Sequence, residues 1–233
     1  MRRFFSYNEI KDGFYYMINQ MKEDCESLLK HYGAGKIEDV RYAHMKYPKL
    51  IPLMDFYVDR YRIDGFGMVM VMHTKTKMGM ELLTMSFMPD GMSLPYLLAD
   101  AMSMKKKRCV FVEYYGCGYE DLNDEKLYEV FEKYRDLEDY EEKPNWYVKE
   151  RRPYSLIKTG SKEELLAMTH DSLKAYLGSI AGAVYDEDYK RKLMDFRDRM
   201  ITEGNPSSKT LEMLLKKDKA VRFMEDVVMG FNN

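Results

Sequence analysis

The chain has 233 residues, and its 45% hydrophobic and 14% aromatic content is sufficient for one large domain with a well-filled core. Its 37 lysines and arginines nearly balance 39 aspartates and glutamates, so the formal net charge of −2 argues against binding to nucleic acid or to an anionic membrane. The three cysteines form no CxxC or Cys–His cluster, which argues against a disulfide framework and a zinc site. We expect one domain over residues 1–233 with no bound metal.

Nothing in the sequence predicts export or a membrane segment. The N-terminal stretch MRRFFSYNEIKDG has no apolar run of signal-peptide length, and no run of 18 apolar residues occurs elsewhere. We therefore expect a soluble protein of the reducing cytoplasm.

The first predicted element is an amphipathic helix over residues 6–32. Hydrophobic side chains recur there at three- and four-residue spacing, and Gly33 is typical of the position after a helix end. Residues 33–54 contain glycines and prolines, so we expect an irregular connection with a short strand around 40–45.

Residues 55–116 are expected to form five consecutive strands. In the first, DFYVDRYRI, the alternation pairs Phe56 with Val58 and then Tyr61 with Ile63, which indicates a slip of one residue within the strand.

The Asp64-Gly65 pair marks a hairpin turn into the second strand. Residues 78–116 are expected to form three further strands, and their nearly continuous hydrophobic runs are typical of a sheet covered on both faces. Because short turns join all five strands and parallel neighbours need long crossovers, we expect an antiparallel meander.

The second half of the chain is expected to be mainly helical. An acidic helix is predicted over 121–141 and a last strand in YSLIKT. Helices are then predicted over 161–179, 186–203 and 207–229, the first of them capped by Ser161. Strands followed by helices favour an α+β fold.

Asp100 is the residue of the predicted sheet that most needs explanation, because it follows six largely apolar residues on a central strand. A buried carboxylate has to be paired, hydrogen-bonded or protonated. Desolvation would raise its pKa, which makes Asp100 a candidate proton donor near neutral pH. The alternative is a structural aspartate at a strand bend that accepts hydrogen bonds from backbone amides.

The usual sequence signatures of nucleotide, zinc and serine-hydrolase chemistry are absent. The four histidines lie far apart, and His73 alone is expected to face the interior of the sheet. Methionine is unusually frequent at 21 residues and is clustered over 68–104, where it suits either ordinary core filling or an adaptable site for a large apolar ligand.

The order of these segments resembles the ferredoxin-dependent bilin reductases. The similarity extends over roughly residues 55–231 and lies in three stretches: MPDGMSLPYLLADAMSMKKKRCVFVEYYG, PNWYVKERRPYSLIKTGSKEE and EGNPSSKTLEMLLKKDKAVRFMEDVVM. The first is similar to the strand, proline-containing turn and LPxxxxD segment that lead to the catalytic aspartate of the family. The second and third are similar to its Trp-led segment and its C-terminal helix.

The resemblance implies a three-layer α/β/α sandwich with a central antiparallel sheet. It also implies that a linear tetrapyrrole such as biliverdin binds between the sheet and the C-terminal helices. The family binds no metal or flavin: ferredoxin supplies single electrons, and carboxylates and water supply protons. By this resemblance Asp100 is the proton donor, and ferredoxin or flavodoxin is the external electron donor.

The resemblance also assigns the other candidate site residues. Lys158 lies where the family has an arginine that pairs with a bilin propionate, and a lysine can still bind that carboxylate. Thr84 takes the place of a histidine, Asn205 that of an acidic residue, and Met72 or Lys75, depending on the gap, that of a glutamate. His73 is then a candidate replacement proton carrier.

The basic turn Lys105, Lys106, Lys107 and Arg108 suits two roles, a docking point for an acidic ferredoxin or a charged hairpin tip that keeps a sheet edge soluble. Three hypotheses for the whole chain follow. The leading one is a bilin reductase-like oxidoreductase, the second a non-catalytic carrier of a tetrapyrrole or another apolar ligand, and the third a structural or interaction protein with a filled core.

Overall fold

A computed structural model of the chain describes residues 7–38, 40–48, 53–77, 79–104, 107–205 and 207–231, with the backbone alone for 7–16, 104 and 107. Its centre is an eight-stranded sheet in which every described strand pairing is antiparallel. The strands are β1 Gly35–Ile37, β2 His44–Tyr47, β3 Met54–Ile63, β4 Gly67–Thr76, β5 Glu81–Met88, β6 Tyr96–Met104, β7 Lys107–Tyr115 and β8 Leu156–Thr159.

The strand order is β1-β3-β4-β5-β6-β7-β8, and β2 also pairs with β3. The expected five-stranded meander is therefore confirmed as β3 to β7, and the YSLIKT segment supplies β8 at the far edge. The short strand expected around 40–45 is wrong in its bounds, because β1 lies before it and β2 begins only at His44.

Helices cover both faces of the sheet. On one face lie α1 Tyr7–His31, α2 Glu125–Tyr134 and α3 Lys162–Gly178, whose buried side chains form a first core with the sheet. On the other lie α4 Glu187–Thr202, α5 Ser208–Leu215, α6 Lys217–Phe223 and a π-helical turn, Met224–Val228, which form a second core. The α/β/α sandwich with a central antiparallel sheet is confirmed.

Strand β4 shows why the central strands read as continuous hydrophobic runs. Val69 and Val71 belong to the first core, and Met70 and Met72 belong to the second. Successive side chains of a strand point to opposite faces, so a strand between two helical layers has to be apolar on both.

Strand β3 contains no slip. Its pairing with β4 is continuous from Met54 opposite Thr76 to Ile63 opposite Gly67. Phe56 and Val58 lie in the second core, whereas Tyr61 and Ile63 lie in the first. The buried positions change from even to odd residue numbers because the two halves of β3 bury side chains on opposite faces of the sheet.

Two helices are shorter than expected. Helix α2 begins only at Glu125, because Asn123 before it is bound elsewhere: its backbone N–H donates to the carbonyl of Ser93 at 2.7 Å, and its Nδ2 donates to that of Ser179 at 2.8 Å. The helix expected over 207–229 is broken at Lys216, whose φ of +67° is left-handed and cannot continue an α-helix.

Helix α3 begins as expected. The Ser161 hydroxyl accepts from the backbone N–H of Glu164, and the Glu164 carboxylate accepts in return from the backbone N–H of Ser161. This reciprocal capping box satisfies two backbone donors at the helix start and fixes where β8 gives way to α3.

Candidate functional site

A small cavity lies in the second core, between the sheet and the C-terminal helices. Its sheet side is formed by Met70, Met72, Thr84, Tyr96, Leu98 and Asp100. Its helical side is formed by Met200, Asn205, Ser207, Leu211, Met224 and Val228. The cavity volume is about 40 Å³, which is space for about one or two water molecules.

Asp100 reaches this cavity because of its register on β6. It lies opposite Thr84 on β5 and Phe111 on β7, on the same face as Tyr96 and Leu98 of the second core. Its Oδ1 accepts a hydrogen bond of 2.5 Å from the Thr84 hydroxyl. Desolvation raises the pKa of the Asp100 carboxyl to about 6, against the opposing effect of that hydrogen bond, although the residue keeps some accessible surface.

A second buried carboxyl, that of Glu113, lies on the same face of the sheet. Glu113 is on β7 directly opposite Leu98, and only 4% of its surface is exposed. The Tyr115 hydroxyl donates to its Oε1 at 2.8 Å, and Arg151 forms an ion pair with the same oxygen. Desolvation raises its pKa to about 7; the positive charge of Arg151 lowers it, and the negative charge of Asp100 raises it further.

Arg151 is shared between two carboxylates. It pairs with Glu113 and, through both terminal nitrogens, with Glu142, and its side chain is 8% exposed. Burial opposes its charge, but the hydrogen bond to Glu142 and the charge of Glu113 prevail and raise its pKa. Because Glu142 and Glu113 together hold the guanidinium charged, the group of this cluster that can gain or lose a proton near neutral pH is Glu113.

The sequence contains the signal that would have identified Glu113. In the stretch CVFVEYYG it is the single charged residue of an apolar strand, as Asp100 is in LPYLLADAM. Two adjacent antiparallel strands that each contain one such residue can bring both to one face. No sequence pattern indicates the position of Arg151. It lies in an irregular segment, and an isolated backbone bridge to Tyr115 brings it next to Glu113.

Helices α5 and α6 and the π-helical turn, residues 208–228, form the covering segment of the cavity, which is hydrogen-bonded to the sheet residues Ser86 and Arg60. Ser86 Oγ donates to the carbonyl of Val228 and lies 3.1 Å from the Tyr96 hydroxyl. The Trp146 indole N–H donates to the carbonyl of Gly204 at 2.9 Å, in the loop between α4 and α5.

Four of the six candidate site residues share this cavity: Asp100, Thr84, Met72 and Asn205. The amide of Asn205 also shapes the loop before α5. Its Oδ1 accepts from the backbone N–H of Ser207 at 2.9 Å, and its Nδ2 donates to the carbonyl of Met200 at 3.1 Å.

Lys158 lies on the wrong face of the sheet for its expected role. It is paired with Val110 of the first core and is 4% exposed. Its ammonium donates to the carbonyls of Arg135 and Leu137 at 2.6 and 2.9 Å and to Oδ1 of Asp139 at 2.6 Å. All three donors are therefore used in the chain segment after α2, and the expectation that Lys158 binds a substrate carboxylate is wrong.

His73 also faces the first core, beside Leu83 of β5, and so points away from Asp100. Its Nε2 lies 3.4 Å from Oε2 of Glu81, and both side chains are almost fully buried. His73 faces the interior as expected. The expectation that it serves with Asp100 as a proton carrier is wrong, because Met72, the neighbouring residue on β4, faces the cavity and His73 faces the opposite side of the sheet.

The basic turn is only partly described. Lys105 and Lys106 lie outside the described residues, and Lys107 is described by its backbone, as the first residue of β7. Within the described ranges, no three side chains of His, Cys, Asp or Glu are grouped as a metal site would need, and no helix is long and apolar enough to span a bilayer.

Comparison with known proteins identifies a structural likeness. No protein-family model matches the chain, and no curated protein matches its sequence at a significant level. Its structure is similar to that of phytochromobilin synthase from tomato in complex with biliverdin, with a TM-score of 0.72 and 14% sequence identity, over 91% of this chain and 82% of that chain. The likeness confirms, at the level of the fold, the resemblance to bilin reductases.

Proposed function

We propose that the protein binds a linear tetrapyrrole between the sheet and the C-terminal helices and reduces it, with Asp100 as proton donor. The observation that supports this most is the position of Asp100. It lies at the floor of a methionine-rich cavity, on the face of a bilin reductase fold between sheet and C-terminal helices, with its pKa raised to about 6.

Binding requires the covering segment to move. Pockets for ligands of this size hold roughly 300–1,000 Å³, whereas the cavity holds about 40 Å³. Helices α5 and α6 and the π-helical turn therefore have to separate from the sheet, which breaks the hydrogen bond of Ser86 to Val228 and that of Arg60 to the Asp226 carbonyl at 2.6 Å. Flexible methionine side chains on both walls, such as Met72 and Met224, can repack around a flat ligand.

The proposed reaction adds two electrons and two protons across one double bond of the tetrapyrrole. The electrons come one at a time from an external carrier of the ferredoxin or flavodoxin class. Asp100 supplies a proton, and its raised pKa keeps a protonated fraction available near neutral pH. The Thr84 hydroxyl fixes the carboxyl in one orientation while it does so.

The second candidate function is a carrier that binds a tetrapyrrole or another apolar ligand without chemistry. It is favoured by the lining of the cavity, in which half of the described residues are methionine or leucine and none is histidine. Binding without turnover by the wild-type protein would select this function over the enzyme.

Titration with biliverdin tests the proposed site directly. We expect a saturable shift of the red absorption band of the bilin at micromolar protein, since enclosure between a sheet and helices changes its conformation and protonation. The matched control is Leu98→Trp, which fills the cavity floor beside Asp100 and should weaken binding. No spectral change with the wild-type protein would contradict the reductase and the tetrapyrrole carrier, and would leave a carrier of another apolar ligand.

We place the docking of the electron carrier at the turn Lys105–Arg108. Reversing two charges, as in Lys105→Glu with Lys106→Glu, should raise the KM for an acidic carrier about tenfold, and added salt should reduce the difference. Lys216→Glu with Lys217→Glu, at exposed positions of the covering segment, is the control with the same change in charge. A loss confined to this control pair would place docking on the covering segment instead.

A further inference from the structure

We propose that Glu113 supplies the second proton of the reaction by reprotonating Asp100 after its first transfer. This inference rests on the proposed function and identifies a second proton source for the same site. Glu113 acts through Asp100 in this scheme, and no contact of its own with the substrate is required.

The stoichiometry of the reaction calls for such a group. Addition of two electrons and two protons converts one carbon–carbon double bond to a single bond with two new C–H bonds. The external carrier supplies the electrons, and one carboxyl supplies one proton at a time. Of the described sheet residues that face the second core, the carboxyls are Asp100 and Glu113.

The register places these two carboxyls one diagonal step apart. Phe111 lies directly opposite Asp100, and Glu113 is two residues further along β7 on the same face. The Cα atoms of diagonal neighbours in an antiparallel pair are roughly 7–8 Å apart, so the two side chains on one face can approach closely enough for a water molecule to bridge their carboxyls. The cavity beside Asp100 has space for one or two water molecules, and its lining includes Leu98, the residue directly opposite Glu113.

The surroundings of Glu113 explain how it holds a proton that it can release. One guanidinium, that of Arg151, serves two carboxylates, so the charge of Glu113 is compensated only in part. The Tyr115 hydroxyl remains its hydrogen-bond donor. Burial raises the pKa of Asp100 to about 6 and that of Glu113 to about 7, so both carboxyls can hold and release a proton near neutral pH.

The groups that control this pair come from several elements. The titratable and charged ones are Tyr96 on β6, Tyr115 on β7, Tyr147 in the 3-10 turn Trp146–Glu150, and Arg151 and Glu142 in the segments beside that turn. Burial raises the pKa of Tyr96 and of Tyr115 far above neutral pH, so neither tyrosine competes with Glu113 as a proton source.

The decisive experiment is the pH–rate profile of Glu113→Gln. We expect bilin affinity to stay within about twofold, turnover to fall about 100-fold, and the one-electron-reduced bilin radical to accumulate, because the second protonation is delayed. The limb of the profile near pH 7 should disappear. Glu150→Gln is the matched control, since Glu150 pairs with Arg199 away from the cavity. A wild-type rate and profile in Glu113→Gln would overturn the proposal.

A measurement without substrate separates this proposal from the proposed function. In the ligand-free protein, the infrared carbonyl band of protonated Glu113 should titrate near pH 7, persist in Asp100→Asn and be missing in Glu113→Gln, where only the band of Asp100, which titrates near pH 6, remains. Absence of this band in Asp100→Asn at pH 6 would refute the role of Glu113 even if bilin reduction is observed. If the band is present but biliverdin is not bound, the proposed function fails and the protonated Glu113 remains.

Discussion

Asp100→Asn is expected to abolish bilin reduction while bilin binding is retained. The amide has nearly the size of the carboxyl, and its oxygen can still accept the hydrogen bond of the Thr84 hydroxyl. It has no acidic proton to donate. Loss of a positioned general acid reduces rates by between about 100- and 10,000-fold, so single-turnover reduction with a chemical or protein donor should slow by that factor.

The spectrum of the bound bilin distinguishes loss of chemistry from loss of the site. In Asp100→Asn the titration with biliverdin should reach saturation at a similar concentration, and the one-electron-reduced bilin should form without further reaction. Ser103→Ala is the matched control, because it removes a buried polar group from the same strand on the opposite face of the sheet. Reduction at the wild-type rate by Asp100→Asn would exclude Asp100 as the proton donor.

The periodicity of the strands predicted more of this site than any motif did. The meander and the position of Asp100 followed from hydrophobic runs and short turns, and both are found in the structure. Met72 and His73 cannot both face the same site, since neighbouring residues of a strand point to opposite faces. Continuous register from β4 through β6 decides between them in favour of Met72.

Other features depend on contacts that sequence patterns do not record. Lys158 lies in the four-residue strand LIKT. A strand this short has too few residues for its hydrophobic alternation to predict which side chains face which core. The helix break at Lys216 could not be predicted from a glycine or proline, because a lysine occupies the left-handed conformation there. The volume of the cavity depends on how the two resulting helices settle on the sheet, which hydrophobic periodicity does not determine.

Arg151→Met is expected to be the most destabilising of the substitutions considered, and more so at high pH. Removing the guanidinium leaves the Glu113 carboxylate buried at 4% exposure without its cation. Breaking a buried ion pair from one side costs about 3–5 kcal/mol of unfolding free energy. Glu142 also loses its partner, but its side chain is 26% exposed and can turn to water, so it should contribute less than Glu113 to the loss of unfolding free energy.

The pH dependence of this loss follows from the pKa of Glu113, which folding raises from 4.5 to about 7. A carboxyl with a raised pKa in the folded state favours folding at low pH, and this advantage is lost as the pH rises through the folded value. Without Arg151 the folded pKa should rise further, so the loss in Arg151→Met should be small at pH 5.5 and reach its full size at pH 8.5, measured by urea unfolding.

Two further variants test whether the charge of Glu113 is the cause. Arg152→Met removes the adjacent arginine, which pairs with the exposed Glu120 and with Asp124, and should cost less than about 1 kcal/mol at either pH. Adding Glu113→Gln to Arg151→Met should recover most of the loss at pH 8.5, because no buried charge is then left unpaired. An equal loss at both pH values, or no recovery in the double variant, would show that Arg151 stabilises the fold by packing and that Glu113 is not the titrating group.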